Sequence, residues 1–157
     1  MPGYINAPIV EKRFEHKGLP CVIIFNSPGY RNGYVGVPVG TTMNTDKIDC
    51  YGGIVAVRPE LPGQTDEEFW WIGFSCCHKA DGYDFEEAKK KYALNPGEMN
   101  AIKWMEASYK NRKTKPKPKS LRFCETECMR VAEQIKEIID EQKRTDGENA
   151  DKETGDN

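Results

Sequence analysis

Strand-like and helix-like segments occupy separate halves of this sequence. Short runs rich in β-branched and aromatic residues lie before residue 77, and apolar residues recur at helical spacing only after residue 84. Strands that follow one another without helices between them usually pair as antiparallel neighbours. The sequence therefore predicts an α+β fold. An N-terminal antiparallel meander of about five strands is covered by two or three helices, of which the last is long and amphipathic.

Turn residues divide the first half into five predicted strands. A Lys-Gly-Leu-Pro sequence at residues 17–20 is typical of a hairpin between the first two. The strands are predicted over residues 10–16, 21–26, 33–37, 53–57 and 69–76.

The fifth predicted strand has two faces of different character. One face, which we interpret as core, holds Trp70, Ile72, Phe74 and Cys76. The other face holds Trp71, Gly73 and Ser75. Small and polar residues beside a single tryptophan are typical of the floor of a ligand site rather than of a packed layer.

Three helices are predicted after residue 84. Asp84 caps the first, over residues 85–92, and Pro96 precedes the second, over 98–110. Ser120 caps the third, over 120–143, whose apolar residues follow a 3-4-3-4-3 spacing. They are Leu121, Cys124, Cys128, Val131, Ile135 and Ile138. This stripe suits packing on the sheet, and a helix–helix dimer seam is the alternative.

The chain is expected to form one domain followed by a disordered end. Its 157 residues are enough for a single core. Residues 1–143 are predicted to be the α+β domain, and residues 110–119 form a basic Lys/Pro connector within it. Residues 144–157 are acidic overall and have almost nothing to bury, which predicts a disordered tail.

Charge and hydropathy argue against two classes of partner. The 23 basic and 25 acidic residues give a net charge of −2, so nucleic acid is not expected as a partner. The longest apolar run, at residues 21–25, is far shorter than the roughly 20 residues that a membrane span needs. No apolar signal segment precedes it. We therefore expect no membrane association and a cytoplasmic location.

The six cysteines are interpreted as reduced structural thiols. Cys21 and Cys76 lie in apolar strand-like runs, and Cys124 and Cys128 lie in the helical stripe, where a small thiol is an ordinary occupant. Three disulfides would suit a secreted protein instead. Zinc at residues 76–78 or at the helical pair is the other alternative, but no CxxC or HxxxH pair supports it. We expect no metal and no cofactor.

Several motifs together resemble a known group of sequences. They are Gly-Tyr-Val-Gly-Val-Pro at residues 33–38, Gly-Gly-Ile at 52–54, and Trp-Trp-Ile-Gly-Phe at 70–74, followed by Cys76, His78 and Asp81. In their order and spacing over residues 10–81, and in the helix at 120–143, the chain resembles a family of uncharacterised proteins encoded by tailed phages and prophages. The resemblance implies a phage or prophage protein in the cytoplasm of a bacterial host, and little about chemistry.

The chain departs from the pattern of that family at three positions. The family has histidines where this chain has Tyr30 and Tyr51, and an aspartate where it has Ser75. These replacements remove groups that transfer protons or bind metals near neutral pH. Tyrosine retains an aromatic ring and a hydrogen-bonding hydroxyl. The departures therefore favour a binding protein over an enzyme.

The predicted ligand site combines aromatic, polar and basic residues of the sheet half. Glycine in strands permits close approach of a flat ligand, and arginine can pair with phosphate. No glycine-rich nucleotide motif is present. We expect the chain to sequester a small anionic, nucleotide-like ligand without catalysis, and a cyclic nucleotide that serves as a host defence signal is one candidate. The predicted contacts are Tyr30, Arg31, Tyr34, Tyr51, Trp71, Ser75, His78 and Asp81.

Two other functions stay open. Cys76 or Cys77 with His78 and Asp81 has the residue types of a hydrolase or transferase, although neighbouring strand residues point to opposite sides. His78 and Asp81 are also ordinary turn residues. The third possibility is a protein-interaction module that docks through the last helix or the connector. We expect a homodimer or a higher homo-oligomer, because two-fold pairs are the commonest soluble assemblies.

Overall fold

A five-stranded antiparallel sheet forms the first half of the protein, as predicted. The computed structural model describes residues 8–62, 67–78 and 80–154, the last seven by their backbone alone. The strands are β1 (Ile9–His16), β2 (Leu19–Asn26), β3 (Tyr30–Pro38), β4 (Ala56–Arg58) and β5 (Phe69–Ser75). Their spatial order is β1-β2-β3-β5-β4, so β5 lies between β3 and the short edge strand β4.

The strand β4 begins later than the sequence predicted. The expected strand covered residues 53–57, whereas β4 starts at Ala56. Gly52 and Gly53 have φ values of +72° and +77°, and the N–H of Gly53 donates to the carbonyl of Cys50 at 3.0 Å. A left-handed turn does not continue an extended strand. The turn therefore delays the strand by three residues.

Three helices follow the sheet, and the α+β fold expected from the sequence is confirmed. They are α1 (Phe85–Lys91), α2 (Pro96–Tyr109) and α3 (Leu121–Thr154). Asp84 caps α1 by accepting from the N–H of Glu87 at 3.2 Å, and Ser120 caps α3 by accepting from the N–H of Phe123 at 3.1 Å. No helix in the described part of the chain is long and apolar enough to cross a membrane.

The helix α3 packs its apolar stripe on one face of the sheet. Its buried residues meet those of β2, β3 and β5 in the main core. Gly33 permits this contact, because a Cβ there would collide with the Phe74 ring and lie 2.9 Å from the Sγ of Cys128. The fully buried members of α3 are Cys124, Cys128, Val131, Ala132 and Ile135. The apolar stripe of α3 therefore packs on the sheet of the same chain.

The helix α3 continues to Thr154, beyond the predicted end at residue 143. Its last part is rich in Glu, Lys and Arg, which are good helix formers, and the ion pair from Lys136 to Asp140 at 2.8 Å has the spacing that supports a helix. The side chains of residues 143–147 are exposed. The division into a domain at 1–143 and a tail at 144–157 stays a prediction, and residues 155–157 lie outside the described residues.

The second face of the sheet carries a smaller apolar cluster. Trp71 is fully buried there, and Tyr34 covers Gly73 so closely that a Cβ on Gly73 would clash with the tyrosine ring. Leu61, from the connection between β4 and β5, packs on the same cluster. The open floor expected beside Trp71 is therefore absent, because the ring of Tyr34 and the side chain of Leu61 occupy that space.

Candidate functional site

The eight predicted ligand contacts are divided among three places. Tyr30, Tyr34, Trp71 and Ser75 belong to the second sheet face, Arg31 is buried at the other, and Tyr51, His78 and Asp81 meet beside α3. They do not form one site.

The residues of the second sheet face are used in packing and local bonds. Trp71 and Tyr34 are buried in the small cluster. The hydroxyl of Ser75 accepts a hydrogen bond from the N–H of Cys77 at 3.2 Å. The ring of Tyr30 lies edge-on to that of Tyr83, with centroids 6.4 Å apart, and burial raises the pKa of Tyr30. All four side chains therefore have partners within the protein.

Arg31 is fully engaged within the protein. Its Nε donates to Glu11 at 2.8 Å and its Nη2 to the same carboxylate at 3.0 Å. Both terminal nitrogens reach Asp84 at 3.4 Å, and Nη1 also donates to the carbonyl of Lys119 at 3.1 Å. The residue is 4% exposed. Its role is to tie four chain segments together, so the phosphate contact expected of Arg31 is not available.

Tyr51, His78 and Asp81 form a compact hydrogen-bonded group. The hydroxyl of Tyr51 donates to Oδ1 of Asp81 at 2.6 Å, and this bond, the largest cause, raises the pKa of Tyr51 to about 12. Oδ2 of Asp81 accepts from the N–H of His78 at 3.1 Å and lies 2.9 Å from Nδ1 of the ring. The His78 ring packs on Gly52, and Lys119 lies 5.0 Å from the centre of the Tyr51 ring.

This group holds two loops against α3. The backbone N–H of Tyr51 donates to Glu127 at 2.9 Å, and its ring meets Phe123 edge-on at 5.2 Å. Both oxygens of Asp81 already have partners, and the residue is 7% exposed. A carboxylate in that position orients the imidazole and closes the turn, which is the structural role expected of His78 and Asp81 as turn residues.

The thiols do not contact this histidine in the described residues. Sγ of Cys76 lies 3.4 Å from Sγ of Cys124, and that contact, followed by burial, raises the pKa of Cys76 far above the ordinary range. Cys77 is exposed, and its Sγ is 4.0 Å from the hydroxyl of Tyr83. Among the described residues no group of three or more metal-ligating side chains is placed to hold an ion.

A cleft that the sequence did not indicate lies beside the basic connector. It has an aromatic compartment of about 250 Å³, lined by Tyr83, Phe85, Glu106, Tyr109, Lys110, Lys115 and Pro116. A basic compartment of about 450 Å³ is lined by Ala80, Arg112, Thr114, Lys115 and Pro116. Lys115 and Pro116 line both, so the two compartments are adjacent and share that wall.

Three aromatic rings form the aromatic compartment. Tyr83, Phe85 and Tyr109 contact one another with centroids 5.5 to 5.7 Å apart. Arg112 lies over the Tyr109 ring, its guanidinium carbon 3.9 Å from the centroid. Burial, with the nearby Cys77 thiol, raises the pKa of Tyr83 to about 12. The guanidinium of Arg112, which lines the basic compartment, therefore lies over the ring of Tyr109, which lines the aromatic compartment.

The connector is fixed to the domain. The N–H of Gly82 donates to the carbonyl of Lys117 at 3.3 Å, and a Cβ on Gly82 would collide with the carbonyl of Pro116. No aromatic residue interleaves with the lysines of residues 110–119, so the sequence predicted only a basic Lys/Pro connector. The fold brings aromatic rings to the connector from α2 (Tyr109), from the segment before α1 (Tyr83) and from the first residue of α1 (Phe85). Only Tyr109, which directly precedes the connector, could have signalled this from the sequence.

Three comparisons, a scan against protein-family models, a search of curated proteins and a search of solved structures, found no match for the chain.

Proposed function

We propose that the protein binds a small anionic, nucleotide-like ligand in the cleft beside the basic connector and holds it without a chemical step. The carrying observation is that an aromatic compartment and a basic compartment share the wall formed by Lys115 and Pro116. A nucleotide joins a flat ring to phosphate through one sugar. Adjacent compartments of matching chemistry suit that arrangement.

The aromatic compartment suits the base. Its volume of about 250 Å³ is below the usual range for whole drug-sized ligands, so it suits a base rather than a complete nucleotide. Stacking of a base on an aromatic side chain contributes about 1–3 kcal/mol. The carboxylate of Glu106, which already accepts from Lys89 at 3.1 Å, is the acidic group of the lining and favours bases that carry an amino group.

The basic compartment suits the phosphate. Arg112 and Lys115 both line it, and the hydroxyl of Thr114 adds a hydrogen-bond donor. Arginine recognises phosphate by paired hydrogen bonds, and it also stacks on aromatic rings, as Arg112 does on Tyr109. The net charge of −2 does not oppose this, because the ten residues of the connector include six cations and no acidic residue.

Two features support binding without catalysis. Cys76 is buried with a raised pKa, and the carboxylate of Asp81 is occupied by Tyr51 and His78. A nucleophile must be accessible and ionisable, and a general base needs a free lone pair near the substrate. The sequence resemblance to phage and prophage proteins is the basis for expecting a bacterial cytoplasm as the setting and a host defence signal as the ligand. The probes named next are chosen on that basis.

Calorimetric titration with adenosine 5′-monophosphate, cyclic di-adenylate and cyclic ADP-ribose tests the proposal. Adenosine and ribose 5-phosphate serve as probes that lack the phosphate or the base. Binding of a probe with both parts, weakened on removal of either, is the expected result. Mass spectrometry of ligand released by heat should recover it intact, and recovery of cleaved ligand would refute the absence of catalysis.

Three charge-removing variants locate the site. Arg112→Ala and Lys115→Ala are expected to weaken binding roughly 10-fold or more, since a hydrogen bond to a charged group contributes about 1.5–3 kcal/mol. Lys113→Ala is the matched control, because it removes the same charge from the same segment but lines neither compartment. Equal losses in all three, or no binding of any probe, would overturn the proposal.

A further inference from the structure

Two buried thiols from different parts of the chain touch each other. Cys76 directly follows β5 and is 1% exposed, and Cys124 lies near the start of α3 and is fully buried. Their sulfur atoms are 3.4 Å apart, although the two residues are separated by 48 positions in the sequence. In the described part of the chain, no other two cysteines share a hydrogen bond. The fold therefore selects one pair from the six thiols.

We propose that Cys76 and Cys124 form an oxidation site, at which hydrogen peroxide converts the two thiols to an intrachain disulfide. In the first step one sulfur attacks a peroxide oxygen, the O–O bond breaks, and a sulfenic acid and one water form. In the second step the other sulfur attacks the sulfenic sulfur and the S–O bond breaks, so the hydroxyl group leaves with the thiol proton as water. Two thiols and one peroxide thus give one disulfide and two waters.

The contact places the second thiol where the reaction needs it. A sulfenic acid on either cysteine has the other sulfur beside it, so the disulfide should form before further oxidation to a sulfinic acid. The sulfurs must come closer to bond. Cys76 lies in the bend after β5, where the regular pairing of β5 with β3 has ended at Ser75, so a small shift there leaves the sheet intact.

Burial sets the rate and the persistence of this reaction. Contact with Cys124, followed by burial, holds the pKa of Cys76 far above its ordinary range, and the thiolate is the form that attacks peroxide. The first step therefore needs a local opening that admits a small oxidant, and it should be slow. The disulfide is buried again once the structure closes, so thiol reductants should also reach it slowly. The site suits a lasting response to peroxide rather than a rapid one.

The two cysteines lie beside the segments that form the cleft. Cys76 precedes the segment that supplies Ala80 and Tyr83, and Cys124 follows the basic connector. A bond between the cysteines ties one wall of the cleft to the helix that follows the other wall. A site with less freedom to lose binds its ligand more tightly. We expect oxidation to strengthen binding in the cleft, a consequence that rests on the function proposed above.

Peptide mass spectrometry without reduction tests the cross-link. The folded protein is incubated with hydrogen peroxide, and its free thiols are then blocked with iodoacetamide in urea. The expected product joins the peptides of Cys76 and Cys124 and is two hydrogens lighter than the separate peptides. Fragment ions assign the bond, because Cys77 and Cys128 lie on the same two tryptic peptides. No cross-link in the folded parent, or one through Cys77 or Cys128, would overturn the proposal.

Serine variants provide the matched comparison. Cys76→Ser and Cys124→Ser should lose the cross-link, whereas Cys77→Ser and Cys128→Ser should keep it. Circular dichroism checks that each variant folds, and Cys77 is the exposed position, at which serine should leave the packing unchanged. A cross-link that survives in Cys76→Ser, or that disappears in a folded Cys77→Ser, would contradict the assigned pair.

Two further measurements separate the cross-link from its effect on the cleft. The oxidised parent should unfold at a higher urea concentration than the reduced parent, because a bond across 48 positions constrains the unfolded chain. Peroxide-treated Cys76→Ser should show no such rise. Calorimetric titration with adenosine 5′-monophosphate should show tighter binding to the oxidised parent. Equal affinities would refute the effect on the cleft, and no binding to either form would refute the proposed function while the cross-link result stands.

Discussion

Arg31 is the residue at which several separate segments meet. Its guanidinium donates hydrogen bonds to the carboxylates of Glu11 and Asp84 and to the carbonyl of Lys119, and the residue is only 4% exposed. Removing one member of a buried ion pair leaves an uncompensated charge, which costs about 3–5 kcal/mol. We expect Arg31→Ala to lower the free energy of unfolding by that amount, and Arg31→Lys to rescue it only in part, because lysine lacks the planar fork. Urea unfolding followed by circular dichroism measures both.

Lys136→Ala is the control for this prediction. Lys136 pairs with Asp140 at 2.8 Å, but the two side chains are 41% and 50% exposed. An exposed pair contributes at most about 1 kcal/mol. A loss for Arg31→Ala no larger than that for Lys136→Ala would contradict the role assigned to the buried guanidinium.

The six thiols should differ widely in reactivity. Cys77 is exposed, whereas burial raises the pKa of Cys21 to about 12 and holds the pKa of Cys128 well above its ordinary value. The thiolate is the reacting form, so a buried thiol that keeps its proton alkylates slowly. Brief iodoacetamide treatment of the folded protein at neutral pH, followed by peptide mass spectrometry, is expected to label Cys77 first and Cys76 last.

The neighbours Cys76 and Cys77 form an internal matched pair. They share sequence context and differ in burial, so unfolding in urea should make their labelling rates similar. Rapid labelling of Cys76 in the folded protein would contradict its burial beside Cys124 and would restore it as a candidate nucleophile.

The helix α3 should depend on its contact with the sheet. Ile135 is fully buried in the main core, so Ile135→Asp places a charge in an apolar site and should cost several kcal/mol, roughly the range of large core disruptions. We expect an unfolded or aggregated protein by circular dichroism and light scattering. Val39→Asp, at a site 66% exposed, should leave the fold intact. A folded Ile135→Asp protein would show that the stripe does not hold the core.

Local patterns predicted the elements because each depends on neighbouring residues. The stripe on α3 and the caps at Asp84 and Ser120 follow from helical spacing and hydrogen bonding within one turn. The start of β4 was missed because the turn at Gly52 and Gly53 uses left-handed backbone that strand propensity does not reveal. The sequence did not predict the full length of α3. After residue 143 good helix formers favour a helix, but the lack of apolar residues favours a disordered tail.

At the scale of the molecule, the protein should lose stability in alkali. Burial raises the pKa of Tyr92 to about 12, whereas a tyrosine in an unfolded chain ionises near pH 10. Below about pH 10 both states keep the proton, and between about pH 10 and 12 only the folded state does, so the unfolded state gains stability as pH rises. Tyr51 and Tyr83, both raised to about 12, act in the same direction.

Urea midpoints at about pH 9 and 11, on either side of the ordinary tyrosine pKa, measure this effect. The midpoint should fall at the higher pH, and it should fall less in Tyr92→Phe, which removes one of the titrating hydroxyls. The variant also separates tyrosine ionisation from the loss of lysine charge, which both proteins share. Equal falls in parent and variant would show that Tyr92 does not contribute.

The candidate site depends on contacts between distant residues, so little of it could be predicted from the sequence. Trp71 lies on the face of β5 that the alternation predicted, but Leu61, from the connection between β4 and β5, packs on that face. The sequence shows that Arg31 is basic and lies beside an aromatic residue. It does not show that the carboxylates of Glu11 and Asp84 accept hydrogen bonds from its guanidinium. The rings of the cleft come from segments without a shared pattern. His78 and Asp81 lie together in the structure because they are only three residues apart.

The hydrogen bonds of Arg31 also constrain how the chain can be made. Glu11 and Arg31 leave the ribosome before the carbonyl of Lys119, which emerges 88 residues after the arginine. Domains generally fold as units during synthesis. Until the segment ahead of α3 has been translated, the sheet lacks both its covering helix and the last partner of its central cation. Between the synthesis of β5 and that of α3, the nascent chain therefore holds Ile23, Val35 and Ile72 without the helix that covers them in the folded protein.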